Sequence, residues 1–152
     1  IINKPSQYFI DLGILSFCRP TPPLLYPSDA NEAIKLRREH ATANIQNLQL
    51  LDEYICAICE SMSVKLKNPV TCSLYISSPN GLSFDFHTDE WDGLSVQIFG
   101  EKTFLFMENN IVKSIDIAPG EWLRINPTDE HKAIAKETSL HLSFARHKKY
   151  SL

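Results

Sequence analysis

His87 and Asp89 stand one residue apart in "LSFDFHTDEWDG", a stretch whose polar and apolar residues alternate as in a β-strand. Side chains at i and i+2 of a strand share a face, so the imidazole and the carboxylate project together while Thr88 points the other way. If that face lines an enclosed interior, both groups need a partner to offset lost hydration, and a divalent metal is one. Two protein ligands are rarely enough. His131 offers a third, since "PGEWLRINPTDEH" reads as turn, strand and turn and so places it near the start of a later strand. Two His and one carboxylate leave coordination positions open, as in non-haem Fe(II) oxygenases, and also suit a hydrolytic zinc site. A plain surface pair is the simpler alternative for His87 and Asp89. Lys102 bears on the choice: it lies in "QIFGEKTFLF" among apolar residues, where a buried ammonium requires an anionic partner. On an outer face it would instead extend its head into water.

These residues need a scaffold that brings distant segments together. From Pro69 onward the chain consists of short β-type runs, "VTCSLYI", "LSFDFHTD", "LSVQIFG", "KTFLFM", "IVKSIDI", "EWLRIN", "KAIAKE" and "SLHLSFA", separated by turn signals such as "SPNG", "ENN" and "APG". Such a series predicts a mainly β protein, an antiparallel barrel of the jelly-roll kind. Upstream, "SDANEAIKLRREH" predicts a helix capped by Ser28 or Asp29, "ATANIQNLQ" a short strand, and residues 50–63 an amphipathic helix. The helices are expected to pack outside the barrel. The chain is expected to be one domain over 1–152, with a mixed segment 1–68 and a barrel core 69–146.

Composition narrows the function classes. A net charge of -3 and a pI near 5.9 disfavour an electrostatic nucleic-acid binder, and the basic ending "ARHKKYSL" reads as a solvated end. No apolar run is long enough for a membrane span, and "IINKPSQYFIDLGIL" lacks the order of a secretory signal. The chain begins without Met, as a processed or trimmed form does. Of Cys18, Cys56, Cys59 and Cys72, only "CAIC" is a tight pair, and it falls on the predicted helix. Four unpaired thiols in a reducing cytoplasm are the expectation.

The spacings resemble those of a known family, the cupin-type JmjC 2-oxoglutarate oxygenases, and within it the ribosomal-oxygenase branch. There a His-x-Asp is followed fifteen residues after the His by Lys or Arg in a "Q-x-x-G-x-K" segment, as "VQIFGEK" follows His87 here. The distal His of the family lies eleven residues after a Gly, as His131 follows Gly120. "LYISSPNGLSFDFH", "SLHLSFA" and "ATANIQNLQLLDEYICAICESM" resemble further family segments, so the likeness covers about Ala41 to Ala145. It implies a double-stranded β-helix in which His87, Asp89 and His131 hold Fe(II) and Lys102 meets the distal carboxylate of 2-oxoglutarate. Tyr75 matches a position near that co-substrate, Ser73 a co-substrate-binding position where relatives carry Asn, and His141 an interior His. The implied reaction consumes O2, releases succinate and CO2, and hydroxylates a side chain of a peptide or protein, or a small amino-acid-like molecule. Alternatives are a zinc isomerase or hydrolase and a catalytically silent cupin binding module. Glu121, Arg124 and Asn126 depart from the family's Asp, Tyr and Pro. The branch continues into a helical dimerisation region and a winged-helix module, whereas this chain ends soon after its last barrel run, leaving the oligomeric state open. The loop around Glu90, Trp91 and Asp92, together with Arg124 and "RPTPPLLYPSD", is expected at the substrate rim.

Overall fold

Acidic caps start both longer helices. α2 (Ala30–Arg38) begins after Asp29, whose carboxylate accepts from the Glu32 amide at 2.8 Å, while Glu32 reaches back to accept from the Ser28 amide and hydroxyl. α3 (Glu53–Leu66) begins after Asp52, which accepts from the Tyr54 and Ile55 amides, both at 3.0 Å. A short α1 (Ser6–Asp11) and a strand β1 (Leu15–Cys18) precede them. The computed structural model describes residues 6–21 and 23–148, so parts of both terminal stretches discussed above lie outside it.

The remaining strands are β2 (Thr42–Ile45), β3 (Val70–Ser77), β4 (Asp92–Phe99), β5 (Lys102–Glu108), β6 (Ile111–Ile117), β7 (Trp122–Ile125), β8 (Glu130–Ile134) and β9 (Ser139–Arg146). They form two antiparallel sheets, one ordered β1-β2-β3-β9-β4-β7 and the other β6-β5-β8. This is the jelly roll expected, with its helices on the outside.

The faces of the larger sheet differ sharply. Its outward side chains, among them Phe17, Ala43, Ile45, Cys72, Leu74 and Phe144, merge with Leu36 of α2 and Cys59 of α3 into the main hydrophobic core. Alternate residues turn inward and are mostly polar. Ser16, Asn44, Tyr75, His141 and Gln97 lie in register across five strands, followed two residues along by Ser73, Ser143 and Ser95. A smaller apolar cluster of Phe104, Ile117 and Ile125 fills part of the space between the sheets.

Three expectations are revised. "LSFDFHTD" is not a regular strand: it makes two isolated bridges, Leu82 with Ala41 and His87 with His131, the second exchanging backbone hydrogen bonds at 3.0 and 2.9 Å. No second strand continues the ladder, which leaves the residues after His87 to follow an irregular path. "ATANIQNLQ" is split because Asn47 is left-handed (φ 53°), stopping β2 and starting a single 3-10 turn at Leu48–Leu50. The following helix begins at Glu53 rather than near 50, where Asp52 can cap it.

Candidate metal centre

His131 is the second residue of β8, opposite Phe106 of β5, and is delivered by the turn that Asp129 closes through its carboxylate on the Asn126 amide at 2.8 Å. Its Nδ1 lies 2.9 Å from the Asp129 carbonyl, and His87 Nδ1 lies 2.7 Å from the Asp85 carbonyl. A carbonyl only accepts, so Nδ1 carries the proton on both rings and Nε2 presents a lone pair. The two Nε2 atoms face Asp89, at 3.8 Å from Oδ1 for His87 and 3.7 Å from Oδ2 for His131. One ligand atom from each residue lies within 4.8 Å of the others.

Three acceptors thus converge with no proton between them, an arrangement that repels itself unless a cation is shared. Two ligands each about 2.1 Å from one ion sit roughly 3–3.5 Å apart, so a small inward shift completes the site. Burial holds the His131 imidazole below its usual pKa, favouring the neutral form that can ligate. The donor set therefore fits a divalent transition metal, with carbonyl hydrogen bonds fixing both rings.

Lys102 opens β5 and is only 2% exposed. Its ammonium donates to Ser77 Oγ at 2.9 Å and to His141 Nδ1 at 3.2 Å. Burial, followed by the Lys102 charge, holds His141 well below the usual imidazole range, leaving it neutral and able to accept. Burial also pushes the nearby Cys18 thiol up to about 12. No carboxylate lies within ion-pair distance of Lys102 among the described residues, and desolvation lowers its pKa to about 8. Here is a cation buried among neutral groups, the condition under which an anionic ligand is most welcome. Tyr75 stacks on His141 with ring centroids 4.8 Å apart and planes 4° from parallel, and burial raises its phenol pKa, keeping the O–H.

All six residues singled out for chemistry, His87, Asp89, His131, Lys102, Tyr75 and Ser73, line one cavity of about 330 Å3. Trp91 and Leu24 line it too, as expected of the rim. Glu90, Asp92 and Arg124 are not among its lining residues. Asp92 is held instead by a two-pronged hydrogen bond from Arg124 (3.0 and 2.9 Å) and by Arg146 at 3.1 Å, bracing β4 against β7 and β9. Sequence reasoning missed Cys18 and Asn44, which also line the cavity. The signal was there: "LSFC" and "TANI" alternate polar and apolar residues as a half-polar strand does.

No protein-family profile matches the chain, and no curated protein matches it. Solved structures do. The chain superposes on the ribosomal oxygenase YcfD from Escherichia coli in complex with cobalt and succinic acid, with a TM-score of 0.72 and 16% identity, covering 97% of this chain and 44% of that one. Another YcfD structure matches with a TM-score of 0.61 and 17% identity over 73% of this chain and 32% of that one. A single-substitution variant of oxalate decarboxylase from Bacillus subtilis matches at 0.50 and 9% over 72% and 26%. At such identities the likeness is one of fold, and the chain spans less than half the length of these structures.

Proposed function

We propose that this chain is an Fe(II)- and 2-oxoglutarate-dependent dioxygenase that hydroxylates a side chain of a peptide or protein. The observation that carries the reading is one cavity holding both a convergent His87–Asp89–His131 donor set and a buried Lys102 with only neutral partners. A zinc hydrolase would use the three ligands but gives Lys102 no task. The cobalt and succinic acid bound by the YcfD structure support the reading, succinate being what 2-oxoglutarate becomes.

When bound, Fe(II) supplies the O2 chemistry by which 2-oxoglutarate yields succinate and CO2 as one oxygen atom enters a substrate C–H bond. The protein's part is positioning. His87, Asp89 and His131 hold the metal, and Lys102 pairs with the distal carboxylate of the co-substrate. Lys102 and Phe106, the residue opposite His131, are four residues apart on β5, about 13 Å at the usual rise. The lysine side chain and a five-carbon dicarboxylate would share that span. His141 and Ser77 aim the ammonium, the Tyr75 hydroxyl offers a further donor, and the walls limit water around the reacting atoms. Four free cysteines among the described residues, three of them buried, suit a reducing cytoplasm.

The test is succinate formation from Fe(II), 2-oxoglutarate and O2, with mass spectrometry for one added oxygen on a peptide panel. Asp89→Ala should abolish succinate release. Unchanged turnover in that variant would refute the reading, and tightly held zinc with no 2-oxoglutarate consumption would favour the hydrolase.

A further inference from the structure

We infer that the group this cavity admits beside the metal is uncharged and carries both a hydrogen-bond donor and an acceptor, as the carboxamide of Asn or Gln does. The inference rests on the reading above. Among the cavity's lining residues, Asp89 is the sole carboxylate and Lys102 the sole ammonium or guanidinium, and the reaction uses both. With a divalent metal and a doubly negative co-substrate in place, the charges of Asp89, metal, co-substrate and Lys102 cancel. A charged substrate group would then be buried with no counter-ion, a cost that neutral dipoles do not offset.

What the wall offers instead is hydroxyls and an amide. Ser73, Ser143 and Ser95 lie in register across β3, β9 and β4 and face the cavity, and none of the three hydroxyls hydrogen-bonds to another described residue. Each can donate or accept. Asn44, 2% exposed and lining the same cavity, has a buried Oδ1 with no donor. A buried acceptor left unpaired is unfavourable, so a ligand N–H that reaches it as the Asn44 side chain turns to the cavity would gain there. A carboxamide brings N–H groups and a carbonyl together without net charge.

Selectivity is read by binding, apart from turnover. Trp91 lines the cavity, and the chain's other tryptophan, Trp122, is 65% exposed on β7, so Trp122→Phe leaves Trp91 as the one indole reporter. The full chain carrying this change is titrated anaerobically, with Fe(II) and 2-oxoglutarate present, using pentapeptides centred on Asn, Gln, Arg or Asp. Asn or Gln peptides should bind at least about tenfold more tightly than Arg or Asp peptides. In a second chain, Ser143→Asp should reverse the preference toward Arg by supplying the missing counter-ion. Equal or tighter binding of Arg or Asp peptides to the parent chain, or binding of none, overturns the inference. Succinate release is scored separately: amide selectivity without succinate removes the proposed reaction and leaves the inference, whereas succinate without selectivity does the reverse.

Discussion

Replacing Lys102 by Met should stabilise the fold at neutral pH while removing 2-oxoglutarate binding. Burial lowers the Lys102 pKa from 10.5 to about 8, and each pH unit corresponds to 1.36 kcal/mol, so holding the charged form costs the folded state about 3 kcal/mol below pH 8. Met fills a similar volume without that charge. Against the gain stand the lost hydrogen bonds to Ser77 and His141, about 1 kcal/mol each, leaving the variant ahead by about 1 kcal/mol at pH 7. The sign with pH follows from proton binding. Between pH 8 and 10.5 the unfolded chain keeps the proton that the folded one releases, so the parent gains stability as pH rises and the variant's lead vanishes. Urea unfolding of both chains at pH 7 and pH 10 isolates the effect, because groups remote from Lys102 act on both alike and burial keeps its neighbours His141 and Cys18 uncharged at both values. If the Lys102→Met variant were instead less stable than the parent by the same amount at both values, Lys102 would be a structural residue and the reasoning would fail.

Asp92→Asn should destabilise the protein by about 1 kcal/mol at pH 7, a figure kept low because its Arg partners are largely in water. The Arg124 hydrogen bond holds the Asp92 carboxyl below its ordinary 3.8, so this contribution is present above that value and lost as pH falls through the lower folded pKa. Urea curves of parent and variant should therefore converge in acid. Gly100→Ala should cost more than about 2 kcal/mol, since φ is +64° and the added Cβ would lie 2.1 Å from the Thr138 carbonyl oxygen. Gly120→Ala, at φ +89° with open space around it, should cost only about 1–2 kcal/mol in the same assay.

The barrel strands were legible because turn residues punctuate them and alternation is strong after Pro69. His87, Asp89 and His131 were legible as a spacing. Their delivery was not, since the His87 segment keeps strand-like alternation yet forms only two isolated bridges. For Lys102, periodicity left inward and outward placements open. The register of β5 with β8 turns it to the His131 face, a long-range pairing no local pattern encodes. Arg124 was expected at the substrate rim, but its strand partner is Leu94, on the sheet face turned toward the helices.

That division of the larger sheet separates folding from chemistry. The apolar side chains that hold the protein together point away from the cavity, into the layer shared with α2 and α3. The inward serines contribute little to that layer. Ser95 or Ser143 can therefore be exchanged to change what enters without undoing the fold, whereas trimming Leu74 or Phe144 by a few carbons would weaken the whole molecule before it altered selectivity. The architecture behaves as a fixed frame around a replaceable lining, which is where variants with new substrates are best sought.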